Sequence, residues 1–256
     1  MSSIIEVKDV KKTFKNGKIS KTVLEHLNLT VERNEFVVLF GLAESGKTTL
    51  LNLMAGLEPV TEGEILFEGK PIYEPSPERG MVYQNIALFP WLTVMKNVEF
   101  GPAVRHENRK ERRERAQYYI DLVGLQGFEN TFPVKLSGGM KQRVGIARAY
   151  CNNPKVILMD EPFGHLDAQT RYMMEEQIEG IYSKDKRTVI FVTNNVEEAV
   201  FLADRILLLA DKPSHVVKEY RIDLPRPRNL ISKEFLALRK EITDFMEGTK
   251  VNDDER

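Results

Sequence analysis

Hydrophobic and polar positions change rhythm several times along this chain, and each rhythm predicts a different element. In the first forty residues apolar positions alternate with polar ones. Ile5, Val7 and Val10 precede a turn at Lys15-Asn16-Gly17-Lys18, and Leu27, Leu29 and Val31 follow it. Such alternation predicts antiparallel strands with one solvated face. Phe36-Val37-Val38-Leu39-Phe40 is apolar throughout, as a strand covered on both faces should be. Three later runs read the same way: Val156 to Met159, Val189 to Val192 and Ile206 to Leu209. Between these runs the period is helical. Thr49 to Ala55 predicts a helix stopped by Gly56. Met140, Val144, Ala147 and Cys151 form the buried stripe of another, which ends at Asn153-Pro154. Strands alternating with helices place the chain in the α/β class, with a largely parallel sheet.

Charge and composition add exclusions. Arg105 to Gln117 is dense in charge, but Glu107, Glu111 and Glu114 interleave with the basic residues. It reads as the solvated face of a helix. The formal net charge of −1 gives no electrostatic reason to expect a nucleic-acid partner. Cys151 is the only cysteine, so an intrachain disulfide and a Cys-rich zinc site are excluded. No apolar run approaches the roughly 20 residues of a membrane-spanning helix, and no signal peptide is expected. After Leu224 the composition changes. Pro225-Arg226-Pro227-Arg228 reads as a linker, and an amphipathic segment extends from Lys233 to Met246.

The chemistry begins where the first apolar strand ends. Gly41-Leu42-Ala43-Glu44-Ser45-Gly46-Lys47-Thr48 fits G-x-x-x-x-G-K-[ST] between a buried strand and a helix. In such a loop successive N–H groups cradle phosphate oxygens, and the helix N-terminus favours negative charge. Lys47 is placed to reach the β- and γ-phosphates, and Thr48 to put its hydroxyl on Mg²⁺. Thr49 completes the predicted set of nucleotide contacts. Asp160 and Glu161 close a second apolar strand. A carboxylate there can hold Mg²⁺ directly or through water, and a second beside it can polarise the attacking water.

Leu136-Ser137-Gly138-Gly139-Met140-Lys141-Gln142-Arg143 resembles the LSGGQ signature of the ATP-binding-cassette (ABC) ATPases, with Met140 in the last place. The resemblance runs from about residue 4 to residue 224. It implies a P-loop NTPase core with an N-terminal antiparallel β region and a helical subdomain near 86–150. The cassette would span 1–224, and 225–256 would be a C-terminal tail. ATP and Mg²⁺ would bind between the phosphate loop of one subunit and Ser137, Gly138 and Gly139 of a second. Asp167, after Leu166, resembles the loop at the dimer seam. Gln84 resembles the glutamine that contacts Mg²⁺ and the attacking water, and Phe14 stands where an aromatic ring stacks on adenine. Catalysis would rest on Glu161, Gln84, Lys47 and Asn194, and the metal on Thr48, Gln84 and Asp160.

Asn85 to Val94, Val196 to Arg205 and Leu224 to Arg228 are similar to the nitrate/sulfonate/taurine importer group. That implies an ATP-hydrolysing subunit, working as a homodimer with transmembrane permease subunits and, through them, an extracytoplasmic solute-binding protein. Its place would be the cytoplasmic face of the membrane. Three departures stand out. The family's usual histidine is replaced by Asn194, which can donate through its amide but cannot carry positive charge. Ala43 and Glu44 stand where Ser and Gly are usual, and His165 where a small residue is usual. Asn194 motivates the alternative of a nucleotide-gated ABC module with weak hydrolysis. The retained Glu161 argues against it.

Overall fold

Two sheets frame the molecule, each built from one of the sequence rhythms. The computed structural model describes residues 3–17, 19–85, 87–164 and 166–253, side chains from 249 onward excepted. Lys18, Ile86 and His165 lie outside the described residues. The alternating stretch forms β1 (Ser3–Asn16) and β2 (Ile19–Glu32), which pair antiparallel. Their apolar positions Ile5, Val7, Val10, Leu27, Leu29 and Val31 are all buried. Then come β3 (Phe36–Phe40), α1 (Lys47–Ala55), β4 (Glu62–Phe67), β5 (Lys70–Pro71) and β6 (Arg79–Val82). A helical stretch is next: α2 (Val94–Val98), α3 (Phe100–Val104), α4 (Arg109–Leu122) and α5 (Gly138–Cys151). The chain continues through β7 (Val156–Asp160), α6 (Ala168–Lys184), β8 (Thr188–Thr193) and α7 (Val196–Leu202). It ends with β9 (Arg205–Leu209), β10 (Val216–Arg221) and α8 (Lys233–Asp253).

One sheet has the order β2-β1-β4-β5 and the other β10-β9-β3-β8-β7-β6. In the second, β9, β3, β8, β7 and β6 run parallel, and β10 is an antiparallel edge. The apolar run of β3 divides between two cores. Phe36, Val38 and Phe40 pack with Val144, Ala147 and Cys151 of α5, while Val37 and Leu39 pack with Leu50 and Leu51 of α1. Both faces are covered, so no polar residue is tolerated along the strand. The hydrophobic pattern does not announce β4 or β10. Half of β4 is exposed, and β10 is an edge with a single buried side chain.

Because the five strands are parallel, their C-terminal ends lie along one edge. The loop from Gly41 leaves β3, Asp160 ends β7, Asn194 comes directly after β8, and Gln84 lies two residues beyond β6. Registers place Phe40 opposite Thr193 and Asp160 opposite Val192. Ligands of open α/β sheets bind along this edge.

The linker reading of Pro225 to Arg228 is overturned. Arg228 is only 6% exposed. Its Nη1 donates to the carbonyls of Val200 and Phe201 at 2.8 and 2.9 Å, and Arg226 Nη2 donates to Leu202 O at 2.5 Å. These carbonyls end α7 and have no partner within their own helix. Two arginines that look solvent-bound in the sequence therefore cap a helix. Beyond them, α8 buries Phe235, Ile242 and Met246 in the main core, and Arg239 Nη1 meets Glu197 of α7 at 2.8 Å.

Candidate nucleotide-hydrolysis site

The loop from Gly41 to Thr48 is held tightly by its surroundings. Gly46 precedes α1 with φ +87°, a left-handed conformation that costs a residue with a Cβ about 1–2 kcal/mol. A Cβ there would also lie 2.9 Å from both Val23 Cγ1 and Leu24 Cδ2 of β2. At Gly41 it would lie 2.7 Å from Ser45 Oγ and 3.2 Å from the Leu209 carbonyl. The helix predicted from Thr49 starts two residues earlier, at Lys47. No side chain caps α1, so its first N–H groups remain available to a ligand. Ser45 Oγ is buried with no hydrogen-bond partner among the described residues.

Lys47 is 4% exposed. Its ammonium donates to the carbonyls of Gly41 at 2.9 Å and Leu42 at 2.6 Å, and lies 3.7 Å from Glu161 Oε1. Burial pushes its pKa down, and the Glu161 carboxylate opposes that shift. Thr48 Oγ1 donates to Asp160 Oδ1 at 2.9 Å. Burial pushes the Asp160 carboxyl up, while the Thr48 hydroxyl opposes it. Glu161 has φ +38°, a costly conformation for a residue with a side chain. Its N–H donates to Val192 O at 3.0 Å, so the neighbouring strand holds it there.

Lys47, Thr48, Thr49 and Glu161 line one cavity together with Lys21, Val23, Glu44, Ser45, Gly46 and Lys212. Phe14 is not among the residues lining this cavity, although its strand partner Lys21 is; it is 42% exposed, with the Lys12 ammonium 4.7 Å from its ring centroid. Glu161 also lines a second cavity with Gln84, Gly164, Arg171, Thr193, Asn194, Asn195 and Glu198. The structure thus gathers Gln84, Glu161 and Asn194 around one opening. A Cβ on Gly164 would lie 3.2 Å from Gln84 Nε2 and 3.8 Å from Glu161 Oε2.

A network behind Asn194 has no counterpart in the sequence motifs. Thr193 Oγ1 donates to Glu198 Oε2 at 2.6 Å and accepts from Asn195 N at 2.9 Å. The loop is thereby fixed on both sides of Asn194. Arg171 Nε lies 3.4 Å from Glu198 Oε1, and Arg171 Nη2 donates to Leu166 O at 3.3 Å. One arginine therefore links α7, whose Glu198 holds Thr193, to the loop carrying Asp167.

Ser137, Gly138, Gly139 and Asp167 lie apart from these cavities. Ser137 caps α5, its hydroxyl accepting from Met140 N at 3.3 Å. Asp167 caps α6, accepting from Thr170 N at 3.0 Å and Thr170 Oγ1 at 2.7 Å. The hydrogen bonds from Thr170 hold the Asp167 carboxyl low. A Cβ on Gly139 would meet Thr170 Cγ2 at 2.9 Å, so the two caps are neighbours. Neither contributes to the phosphate cavity of its own chain.

The donor set fits Mg²⁺ held largely by phosphate and water. No group of three or more His, Cys, Asp or Glu suited to a metal occurs among the described residues. Thr48 hydroxyl and Asp160 carboxylate nevertheless stand together at the loop. Mg²⁺ in phosphate sites commonly uses one or two carboxylates plus substrate oxygens and water.

A parallel sheet with a phosphate loop at its C-terminal edge, a lysine inside the loop and two acids opposite defines a P-loop nucleoside triphosphatase. Comparison with known proteins narrows the class. The family model described as ABC transporter matches residues 24–164. An uncharacterized ABC transporter ATP-binding protein of Methanocaldococcus jannaschii is 46% identical, covering 94% of this chain and 91% of the relative. The nitrate import ATP-binding protein NrtD of Synechocystis sp. is 42% identical over 98% of each chain. The aliphatic sulfonates import ATP-binding protein SsuB of Bacillus cereus is 38% identical over 95% of this chain and 96% of the relative. The ABC cassette MJ0796, solved as a dimer and as a post-hydrolysis dimer bound to ADP and Pi, superposes with a TM-score of 0.75 at 34% identity. It covers 85% of this chain and 98% of its own. The chain belongs to the ABC transporter family, as an ATP-binding subunit with ATPase activity.

Sequence reasoning missed Lys21, Lys212, Arg171 and Glu198. Glu198 sits in the Val196 to Arg205 segment, but nothing local marks it as the acceptor for Thr193. Lys212 is 168 positions from Glu44, the residue it meets, and no motif links them.

Proposed function

We propose that this protein is the ATP-hydrolysing subunit of an importer for nitrate-, sulfonate- or taurine-like solutes. Two copies would close on ATP, coupled to two permease subunits at the cytoplasmic face of the membrane and, through them, to an extracytoplasmic solute-binding protein. The observation that carries the reading is the meeting of Lys47, Thr48, Asp160 and Glu161 at one loop, with Lys47 3.7 Å from Glu161 and Thr48 2.9 Å from Asp160. No helix among the described residues is long and apolar enough to cross a membrane. The names of NrtD and SsuB favour oxyanion solutes. Residues 1–224 would act as the cassette, with 225–256 as a tail docked on α7.

In this reading the N–H groups of Gly41 to Thr49 and the Lys47 ammonium bind the phosphates, and Phe14 stacks on the base. Thr48, Asp160 and Gln84 would hold Mg²⁺, which would supply charge neutralisation on the bound phosphates. Glu161 accepts a proton as a water oxygen bonds to the γ-phosphorus, and the bond to the β-phosphate oxygen breaks with its electron pair leaving on ADP. Gln84 and Asn194 orient that water from the same opening. Ser137, Gly138, Gly139 and Asp167 of the second copy complete the site. Most of the catalysis is positioning and charge stabilisation.

The test is phosphate release from Mg-ATP by purified protein, with Glu161→Gln beside it. The variant should bind ATP, lose about 10²–10⁴-fold in turnover, and run as a dimer with ATP in size-exclusion chromatography. Equal turnover in the two proteins would remove Glu161 from the mechanism. A variant that stays monomeric with ATP would remove the shared site.

A further inference from the structure

The phosphate loop carries an unusual carboxylate, and the structure shows what answers it. Glu44 takes φ +66°, a conformation in which glycine is the unstrained choice. Its side chain is 80% exposed but not free. Lys212 Nζ donates to Glu44 Oε2 at 3.1 Å, and Lys212 itself is only 24% exposed. Both residues line the phosphate cavity, with Lys21 and Lys47. Lys212, then Lys21, hold the Glu44 carboxyl below its ordinary range.

Lys212 is delivered by a fixed scaffold. It lies in the turn between β9 and β10, closed by Ala210 N donating to His215 O at 2.9 Å. The turn is tied to β2, with Ser214 N donating to Val23 O at 2.8 Å and Glu25 N to Ser214 O at 3.2 Å. Val23 and Leu24 are the residues that press on Gly46, and the Leu209 carbonyl at the end of β9 abuts Gly41. The same two segments that shape the loop therefore aim the lysine at its one acidic side chain. Without that lysine a carboxylate would face a polyphosphate across the cavity, and like charges at short range repel.

We propose that Lys212 is an affinity-determining residue of the nucleotide site, acting by neutralising and tethering Glu44 so that the phosphate loop accepts a polyphosphate despite its own negative charge. The proposal rests on the reading of this loop as the ATP site. It predicts that the contribution of Lys212 exists only while Glu44 is charged.

Isothermal titration calorimetry with ADP and with ATP, at low ionic strength, tests this on four proteins: wild type, Lys212→Ala, Glu44→Gln and the double variant. Lys212→Ala should raise Kd about fivefold, the upper range for an exposed pair. The same substitution in the Glu44→Gln background should change Kd by less than about twofold. Lys212→Arg should stay near wild type, and the fivefold effect should shrink in high salt. A purely structural role would lower the unfolding midpoint of Lys212→Ala and weaken binding equally in both backgrounds, which would overturn the proposal. So would an unchanged Kd in Lys212→Ala. Failure of wild type to bind either nucleotide would instead bring down the ATPase reading, and this proposal with it.

Discussion

The phosphate loop and the Ser137–Gly139 turn are both glycine-bearing entries to a helix; an added Cβ on Gly139 would be as crowded as on the loop glycines, 2.9 Å from Thr170 Cγ2, but Gly138 differs from them. At Gly41 and Gly46 an added Cβ would lie within 2.7 and 2.9 Å of the chain's own atoms, while at Gly138 nothing lies within 4 Å. The glycines of the first are demanded by intramolecular packing. Nothing among the described residues crowds Gly138. In the proposed shared site, this open space beside the Ser137 cap is where a second copy would meet the turn. The contrast is what a site completed by a second copy would require.

Substitution at the two glycines gives the largest effect and the most direct attempt to break this comparison. Gly46→Val should destabilise the fold by about 3 kcal/mol, combining left-handed strain with overpacking. Gly138→Val should leave the denaturant midpoint nearly unchanged and abolish phosphate release. If Gly138→Val proves as destabilising as Gly46→Val, the asymmetry is wrong.

A second effect, spread over several pH units, sharpens the account of the network behind Asn194. Glu175, one helical turn after Arg171 on α6, is buried, and its carboxyl is pushed up to about 8 by burial, then by Glu198 and Glu197, with Arg171 opposing. The folded state therefore holds this proton more strongly than the unfolded chain. Stability from this group is full below about pH 4.5 and declines as pH rises through about 8, by at most about 1.4 kcal/mol per pH unit. Glu175→Gln should flatten that decline, read as unfolding midpoints from pH 5 to 9. An unchanged slope would show that Glu175 ionises without cost.

The smallest effect concerns the rim of the phosphate side. Phe14→Ala should weaken ATP binding about fivefold, the range of a single aromatic contact, and leave the affinity for inorganic triphosphate unchanged. Equal losses for both ligands would mean that Phe14 shapes the loop rather than meeting the base.

Much of the phosphate side is legible in the sequence because its information is local. The run Phe36 to Phe40, the eight residues after it and the Asp160-Glu161 strand end each declare themselves within a short window. Ser137 to Gly139 and Asp167 are legible through the family resemblance, and the capping of α5 by Ser137 and of α6 by Asp167 emerges only in the structure. What is hidden depends on distant pairs: Lys212 with Glu44, Arg171 with Glu198, Asp160 with Thr48. Asn194 is visible as a departure, but Thr193 and Glu198, which fix its loop, emerge only when β8 and α7 meet. The Pro-Arg segment misleads for a related reason. Its composition signals solvent, while its role is set by the bare carbonyls of a helix, 28 and 27 residues upstream of Arg228.

Those two arginines also bear on how the protein can be cut. The boundary that composition marks, after Leu224, is a poor place to trim a fragment for biophysical work. Removing residues 225–256 would strip the donors from Val200, Phe201 and Leu202 and uncover the seats of Phe235 and Ile242. The smallest piece that keeps the molecule whole extends at least to Met246, and a label or affinity tag belongs beyond it.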